Sequence, residues 1–225
     1  MEQGTDRRLF ILAGFAVVAI VVVAAILIGR GGGSSDSSTT ASSGACKEVE
    51  APAAKKVSFK APPQTVKKGE KLTAAVQTNC GDFAIALDST RAPKTVNSFV
   101  YLSEKGFFDG LDFPRIAPGF VIQGGSPSNS QLGGPGYKVV EKPPANLSYT
   151  KGIVAMAKSS AEPPGSSGSQ FFIVTGADAG LPPEYALVGK VSQGMDVVTH
   201  IGELGTPEEK PKQTVLIEKI TIEKG

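Results

Sequence analysis

The sequence predicts a mainly β fold: a closed eight-stranded antiparallel barrel capped by two α-helices and preceded by one N-terminal transmembrane helix. Three observations predict it. From residue 71 onward, eight short β-type runs are separated by Gly/Pro-containing loops, and only two segments carry helical apolar spacing. Antiparallel strands that close on themselves leave no unpaired edge to protect. Ahead of them, residues 9–28 (LFILAGFAVVAIVVVAAILI) hold no charged side chain.

Taken in order, residues 1–8 form a short N-terminus with Arg7 and Arg8 at its end, which favours keeping it in the cytoplasm and exporting the remainder. The apolar run that follows makes a helix of about 30 Å at ~1.5 Å per residue, the thickness of a bilayer's hydrocarbon core. A signal anchor is expected, placing the rest of the chain outside a cell membrane. The competing reading is a cleaved signal peptide, whose apolar stretch is shorter and whose small-residue site lies closer. Residues 29–45 are a Gly/Ser/Thr-rich tether with nothing to bury. Residues 46–70, rich in Pro, Lys and Ala, read as an extended arm.

The domain proper spans 71–225. Runs 71–78 and 82–88 flank Asn-Cys-Gly as a hairpin. Residues 92–106 read as a helix, with Pro93 in its first turn and Gly106 at its end. Six further strands are expected near 112–116, 120–123, 152–157, 170–175, 185–191 and 214–222, with a second helix over 194–201. The polar loops 126–149 and 158–168 are long for their neighbours, and such loops carry function more often than short ones.

Composition removes several classes of chemistry. Net charge is +2, with no basic block in the exported part, which argues against a nucleic-acid partner. The single histidine, His200, falls in the second helix, so no His-based triad or His-rich metal site is available. No Walker loop, GxGxxG or GxSxG is present, and no metal or cofactor is expected. The two cysteines, Cys46 and Cys80, both fall on the exported side, where one disulfide is the simplest account and two unrelated thiols the alternative.

What remains unexplained is LDFPRIAPGFVIQGG, which sets Arg115 and Gln123 among Phe113, Ile116, Phe120, Val121 and Ile122. Either these are snorkelling surface groups, or they line an apolar groove that needs two polar ones. One reaction suits an apolar groove with a fixed cation and no nucleophile. It is rotation about an Xaa-Pro bond, in which nothing is broken or transferred. The segments FPRIAPGFVIQGG, GIVAMAK…SSGSQFFIVTG and YALVGKV are similar, in order and spacing, to those of the cyclophilin family of peptidyl-prolyl cis-trans isomerases. The resemblance covers about 71–225.

That resemblance implies a proline site on the outer surface of the barrel. Arg115 matches the catalytic arginine and Gln123 the glutamine that orients it. Phe120, Val121, Phe172 and Leu181 match the pocket for the proline ring, while Ala157 and Gln170 match the track for the substrate backbone. Phe113, Lys158 and Tyr185 fall at further substrate-side positions. Pro114 and Tyr185 stand where the family commonly has His, Ser126 replaces an Asp, and Lys158 an Asn. Gly180 stands where some members have Trp, which implies weak binding of cyclosporin-type ligands. Strand alternation puts Gln170 and Phe172 on one face and Phe171 and Ile173 on the other. The expected partners are proline-containing segments of exported polypeptides whose folding is assisted. The alternative is a catalytically weak module of the same fold that binds such segments.

Overall fold

The computed structural model describes residues 45–128 and 130–225. The segments expected as a cytoplasmic N-terminus (1–8), a transmembrane helix (9–28) and most of the tether (29–45) lie outside the described residues. The arm from residue 46 to 65 runs without helix or strand. Its inward side chains alternate with exposed ones at Val57 and Phe59, the period of an extended chain.

Strand β1 (Leu72–Thr78) returns as β2 (Gly81–Leu87) through the two-residue turn Asn79–Cys80. Buried Asn79 ties three segments together: its amide donates to the carbonyls of Lys47 (2.7 Å) and Thr214 (3.0 Å) and accepts from Leu216 N (2.8 Å). Helix α1 (Pro93–Glu104) starts on a proline, whose missing N–H costs nothing there. The Glu141 carboxylate accepts from the N–H groups of Lys94 and Thr95 at 3.2 and 2.8 Å, so an acidic group sits at the positive end of the helix. Past its C-terminus, Gly106 takes the left-handed φ (+63°) that lets the chain reverse.

The short strands β3 (Leu111–Asp112), β4 (Arg115–Ala117) and β5 (Val121–Gly124) follow, then β6 (Val139–Val140), β7 (Ile153–Met156), β8 (Ser166–Ser167) and β9 (Phe171–Val174). Strand β10 (Leu187–Gln193), helix α2 (Met195–Glu203) and β11 (Leu216–Lys224) complete the domain. Nine strands form one antiparallel sheet in the order β3-β11-β1-β2-β10-β7-β9-β5-β4, and β6 pairs with β8 in a small second sheet.

Two expectations need correction. The strand expected over 112–116 is split into β3 and β4, which stand at opposite edges of the sheet. The result is a curled antiparallel sheet rather than an eight-stranded barrel closed by hydrogen bonds. Pro114 lies between the two strands and has no N–H to offer a ladder. Phe113 N donates to Val215 O (2.9 Å) on one side and Ile116 N to Glu209 O (3.0 Å) on the other, so the curl is joined here by the covalent chain. The loops 126–149 and 158–168, in which no strand is expected, hold β6 and β8, each only two residues long and below what alternation can reveal.

The concave face holds the main core. Phe99, Phe108, Phe113 and Phe171 pack ring to ring at 5.1–6.0 Å, against Ile116, Ile122, Val154 and Ile173. A second apolar cluster lies on the opposite face, formed by Ala117, Val121, Tyr149, Ala155, Phe172 and Val174 with Phe120, Leu181 and Tyr185 against it. That second face carries the site.

Candidate active site

The register places the site residues without adjustment. Across β4, β5 and β9, Arg115 pairs with Gln123 and Gln123 with Phe172, and Ala155 of β7 pairs with Phe172 in turn. Side chains on one cross-strand row share a face, so a cation, an amide and an aromatic ring emerge side by side. The neighbouring row, Ile116, Ile122, Ile173 and Val154, points into the core. Phe171 and Ile173 are fully buried there, while Phe172 joins the outer cluster, as alternation requires.

Arginine has donors only, and this sets the direction of a polar chain. Arg115 Nη1 donates to Gln123 Oε1 at 3.1 Å, which turns the Gln123 amide nitrogen away to donate to Gln170 Oε1 at 3.1 Å. Gln170 Nε2 then donates to the carbonyls of Gly133 (2.9 Å) and Gln131 (3.3 Å). On its other edge, Arg115 Nε donates to Glu209 Oε2 at 2.6 Å. The guanidinium carbon stands 5.8 Å from the Phe120 ring centroid, an attraction of cation to ring face. The Arg115 side chain is 19% exposed, so it is held rather than waving in solvent.

Beside this polar edge lies a groove of about 960 Å³. Its walls include Phe120, Val121, Phe172, Leu181 and Tyr185, with Ala157 and Gln170 along it. Phe172 and Tyr185 meet edge to face at 5.5 Å. Fully buried Tyr149 supports that wall: its hydroxyl donates to Tyr185 O (2.6 Å) and accepts from Tyr185 N (2.9 Å). Burial pushes its phenol up to about 12. Chemically, the groove offers an apolar seat for a small ring, backbone to either side, and one oriented cation at its edge.

Ten of the eleven expected site residues line this groove. Phe113 does not. It is wholly buried in the main core against Phe171 at 6.0 Å, because it lies two residues before Arg115 across the break at Pro114 and points inward. Lys158 borders the groove, but its ammonium turns aside to Glu184 Oε2 (3.0 Å) and lies 5.4 Å from the Tyr185 ring centroid. Sequence reasoning missed the wall made by residues 131–138, as well as Tyr149 and Glu209. Only the length of the 126–149 loop pointed to the first. Tyr149 sits in a segment without period, and Glu209 lies in a charge run that reads as solvated surface. Cys46 and Cys80 are joined in a disulfide. Among the described residues no group of three or more His, Cys, Asp or Glu side chains is placed to hold a metal ion.

Comparison with known proteins bears on this geometry. Residues 73–222 match the family model of cyclophilin type peptidyl-prolyl cis-trans isomerases. The chain is 37% identical over 169 residues to peptidyl-prolyl cis-trans isomerase A of Mycobacterium tuberculosis, covering 67% of this chain and 91% of that protein. It is 36% identical over 174 residues to peptidyl-prolyl cis-trans isomerase B of Streptomyces anulatus, covering 68% and 98%. Among solved structures, a Cryptosporidium parvum cyclophilin type isomerase superposes with TM-score 0.64 at 29% identity, covering 69% of this chain and 99% of its own. The same protein in the presence of the dipeptide Ala-Pro gives 0.63 at 30% identity, with coverages of 68% and 99%. With a family model spanning most of the chain and relatives this similar over nearly their whole length, the chain belongs to the cyclophilin-type peptidyl-prolyl cis-trans isomerases and is an enzyme of that class.

Proposed function

We propose that this isomerase acts on Xaa-Pro bonds of exported polypeptides, assisting their folding, from a domain tethered outside the cell membrane by residues 9–28. Arg115 is the catalytic residue. Rotation about an amide faces a barrier of ~18–20 kcal/mol because the nitrogen lone pair is shared with the carbonyl. In the twisted state that lone pair returns to a pyramidal nitrogen, which can then accept a hydrogen bond. The observation that carries the reading is the held guanidinium. Nε and Nη1 are engaged by Glu209 and Gln123, which leaves the Nη2 edge without a partner among the described residues, beside the apolar seat. A proline ring against Phe120, Val121, Phe172 and Leu181 brings its nitrogen to that edge. A proline seated in the groove displaces water from the reacting amide and so favours its less polar twisted state, and no covalent intermediate is formed. The Ala-Pro dipeptide present with the Cryptosporidium relative is the kind of segment this groove suits.

The test is exchange of an Ala-Pro peptide, followed by NMR with the full-length chain in detergent and its Arg115→Ala variant. A charge-assisted hydrogen bond contributes about 1.5–3 kcal/mol, so kcat/KM is expected to fall by roughly 10- to 150-fold. An Arg115→Ala enzyme as fast as wild type would remove the arginine from the mechanism. A folded wild type that binds the peptide without accelerating exchange would leave a proline-binding module.

A further inference from the structure

We infer that Glu209 is a positioning residue for isomerisation: a strained loop behind the groove presents its carboxylate to Arg115 and fixes the edge from which the catalytic donors project. The inference rests on the reading of Arg115 as the catalytic group.

Among the described residues, Glu209 is the one non-glycine with positive φ (+60°). L side chains avoid this region, and glycine or asparagine is the usual occupant. The loop forces it. Gly205 bridges to Pro211, Thr206 N donates to Lys210 O (2.8 Å), and Glu209 N donates to Thr206 O (2.9 Å). Gly205 lets this turn press on β4, since a Cβ there would stand 2.3 Å from Ile116 O. The Glu209 carbonyl in turn accepts from Ile116 N, the residue after Arg115. The loop is therefore docked on the catalytic strand itself, and its strained residue aims a carboxylate at Nε from 2.6 Å.

Stability does not account for this arrangement. The Glu209 side chain is 42% exposed, and an ion pair so open to water adds little to folding. The backbone strain works against even that gain. Strain held in place by surrounding structure is found where geometry matters to function. Here the geometry is the plane of a guanidinium. One contact through Gln123 lets the group swing about that bond, whereas a second on Nε fixes its plane and leaves Nη2 without a partner among the described residues, on a side chain that borders the groove. Glu209 does not line the groove, so its removal should slow rotation without weakening peptide binding.

The experiment compares Glu209→Gly, Glu209→Gln, Arg115→Ala and the Arg115→Ala/Glu209→Gly double variant, each as full-length chain in detergent, by NMR exchange at several peptide concentrations. Glu209→Gly is expected to lose about tenfold in kcat with KM within about twofold. Its Tm should be at or above wild type, since glycine relieves the positive φ. Glu209→Gln keeps an oxygen for Nε and should return kcat to within about threefold of wild type. Because Glu209 acts through Arg115, the double variant should be no slower than Arg115→Ala alone. Several results would overturn the inference: a Glu209→Gly enzyme as fast as or faster than wild type, a loss seen only in KM, no recovery with Gln, or a fall in rate that tracks a fall in Tm. If Arg115→Ala itself keeps full activity, the arginine reading fails first, and that result is separate from any of these.

Discussion

A phenol hydroxyl inside a sheet wall must find partners or cost the fold, and Tyr149 finds both on one residue, the N–H and C=O of Tyr185. Tyr149→Phe leaves the part-buried N–H and C=O of Tyr185 without their hydroxyl partner, which costs about 1 kcal/mol of stability. It also frees the Tyr185 side of the groove, so KM for the peptide should rise while kcat changes less. The same residue makes a prediction in pH. Its folded-state pKa, about 12 against an ordinary 10.0, means the fold keeps the proton where the unfolded chain releases it. This contribution is fully present below pH ~10 and is lost as pH rises to ~12, by about 2–3 kcal/mol. Urea titrations across that range should show the decline in wild type and a shallower one in Tyr149→Phe. An equal slope in both would detach Tyr149 from the alkaline transition.

At the scale of elements, the arm and the 127–136 loop behave as one unit. Lys55 N donates to Pro127 O (2.6 Å) and Phe59 N to Pro135 O (2.7 Å). A Cβ on Gly136 would stand 3.2 Å from both the N and the O of Phe59, and its φ of +94° suits glycine, so the two backbones approach closely here. The half-buried Phe59 ring anchors the arm edge-on to Tyr101 and Phe107 at 6.1 and 6.0 Å. The braced loop supplies the carbonyls of Gln131 and Gly133, on which Gln170 ends the polar chain from Arg115. Phe59→Ala should therefore cost about 2 kcal/mol of stability, less than a fully buried ring. It should also raise KM several-fold, measured by the same peptide exchange; an unchanged KM would show that the loop holds its shape without the arm. Strands β1 and β2 were legible because each buries alternate side chains, and α2 because its buried positions recur with helical spacing, as in the match of 71–78 to β1 and of 194–201 to most of α2. Arg115 and Gln123 were legible because they are polar groups set in an apolar run, whereas Phe172 came from the family resemblance, with strand alternation fixing its face. Strands β6 and β8 are too short to show any period. The inward turn of Phe113 depends on the break at Pro114, and the reach of Glu209 to Arg115 spans 94 positions of sequence that no local pattern encodes.

For the whole molecule, the disulfide bears on how the arm is held and on the proposed export of the domain. Cys46 and Cys80 are 34 positions apart, and their bond ties the first described residues of the arm to the tip of the β1–β2 hairpin. Closing a loop of that length removes entropy from the unfolded chain corresponding to about 4 kcal/mol in the chain-entropy model, an upper figure. Reduction, or joint Cys46→Ser and Cys80→Ser replacement, should lower Tm by up to roughly 8–16 °C for a domain of this size. The arm should loosen first, because Lys47 N on Asn79 O (2.8 Å) and the Asn79 amide on Lys47 O are next to the bond. Such a bond is favoured where the surroundings are oxidising and is rare in a reducing cytosol, which ties this stability to the proposed export of the domain. In intact cells the two cysteines should resist a thiol-reactive label until a reductant is added. The protein should also fractionate with membranes, and protease applied from outside should remove its domain once any outer barrier is opened. Free thiols in a protease-protected domain would place the isomerase on the cytoplasmic side and remove exported chains from its substrates.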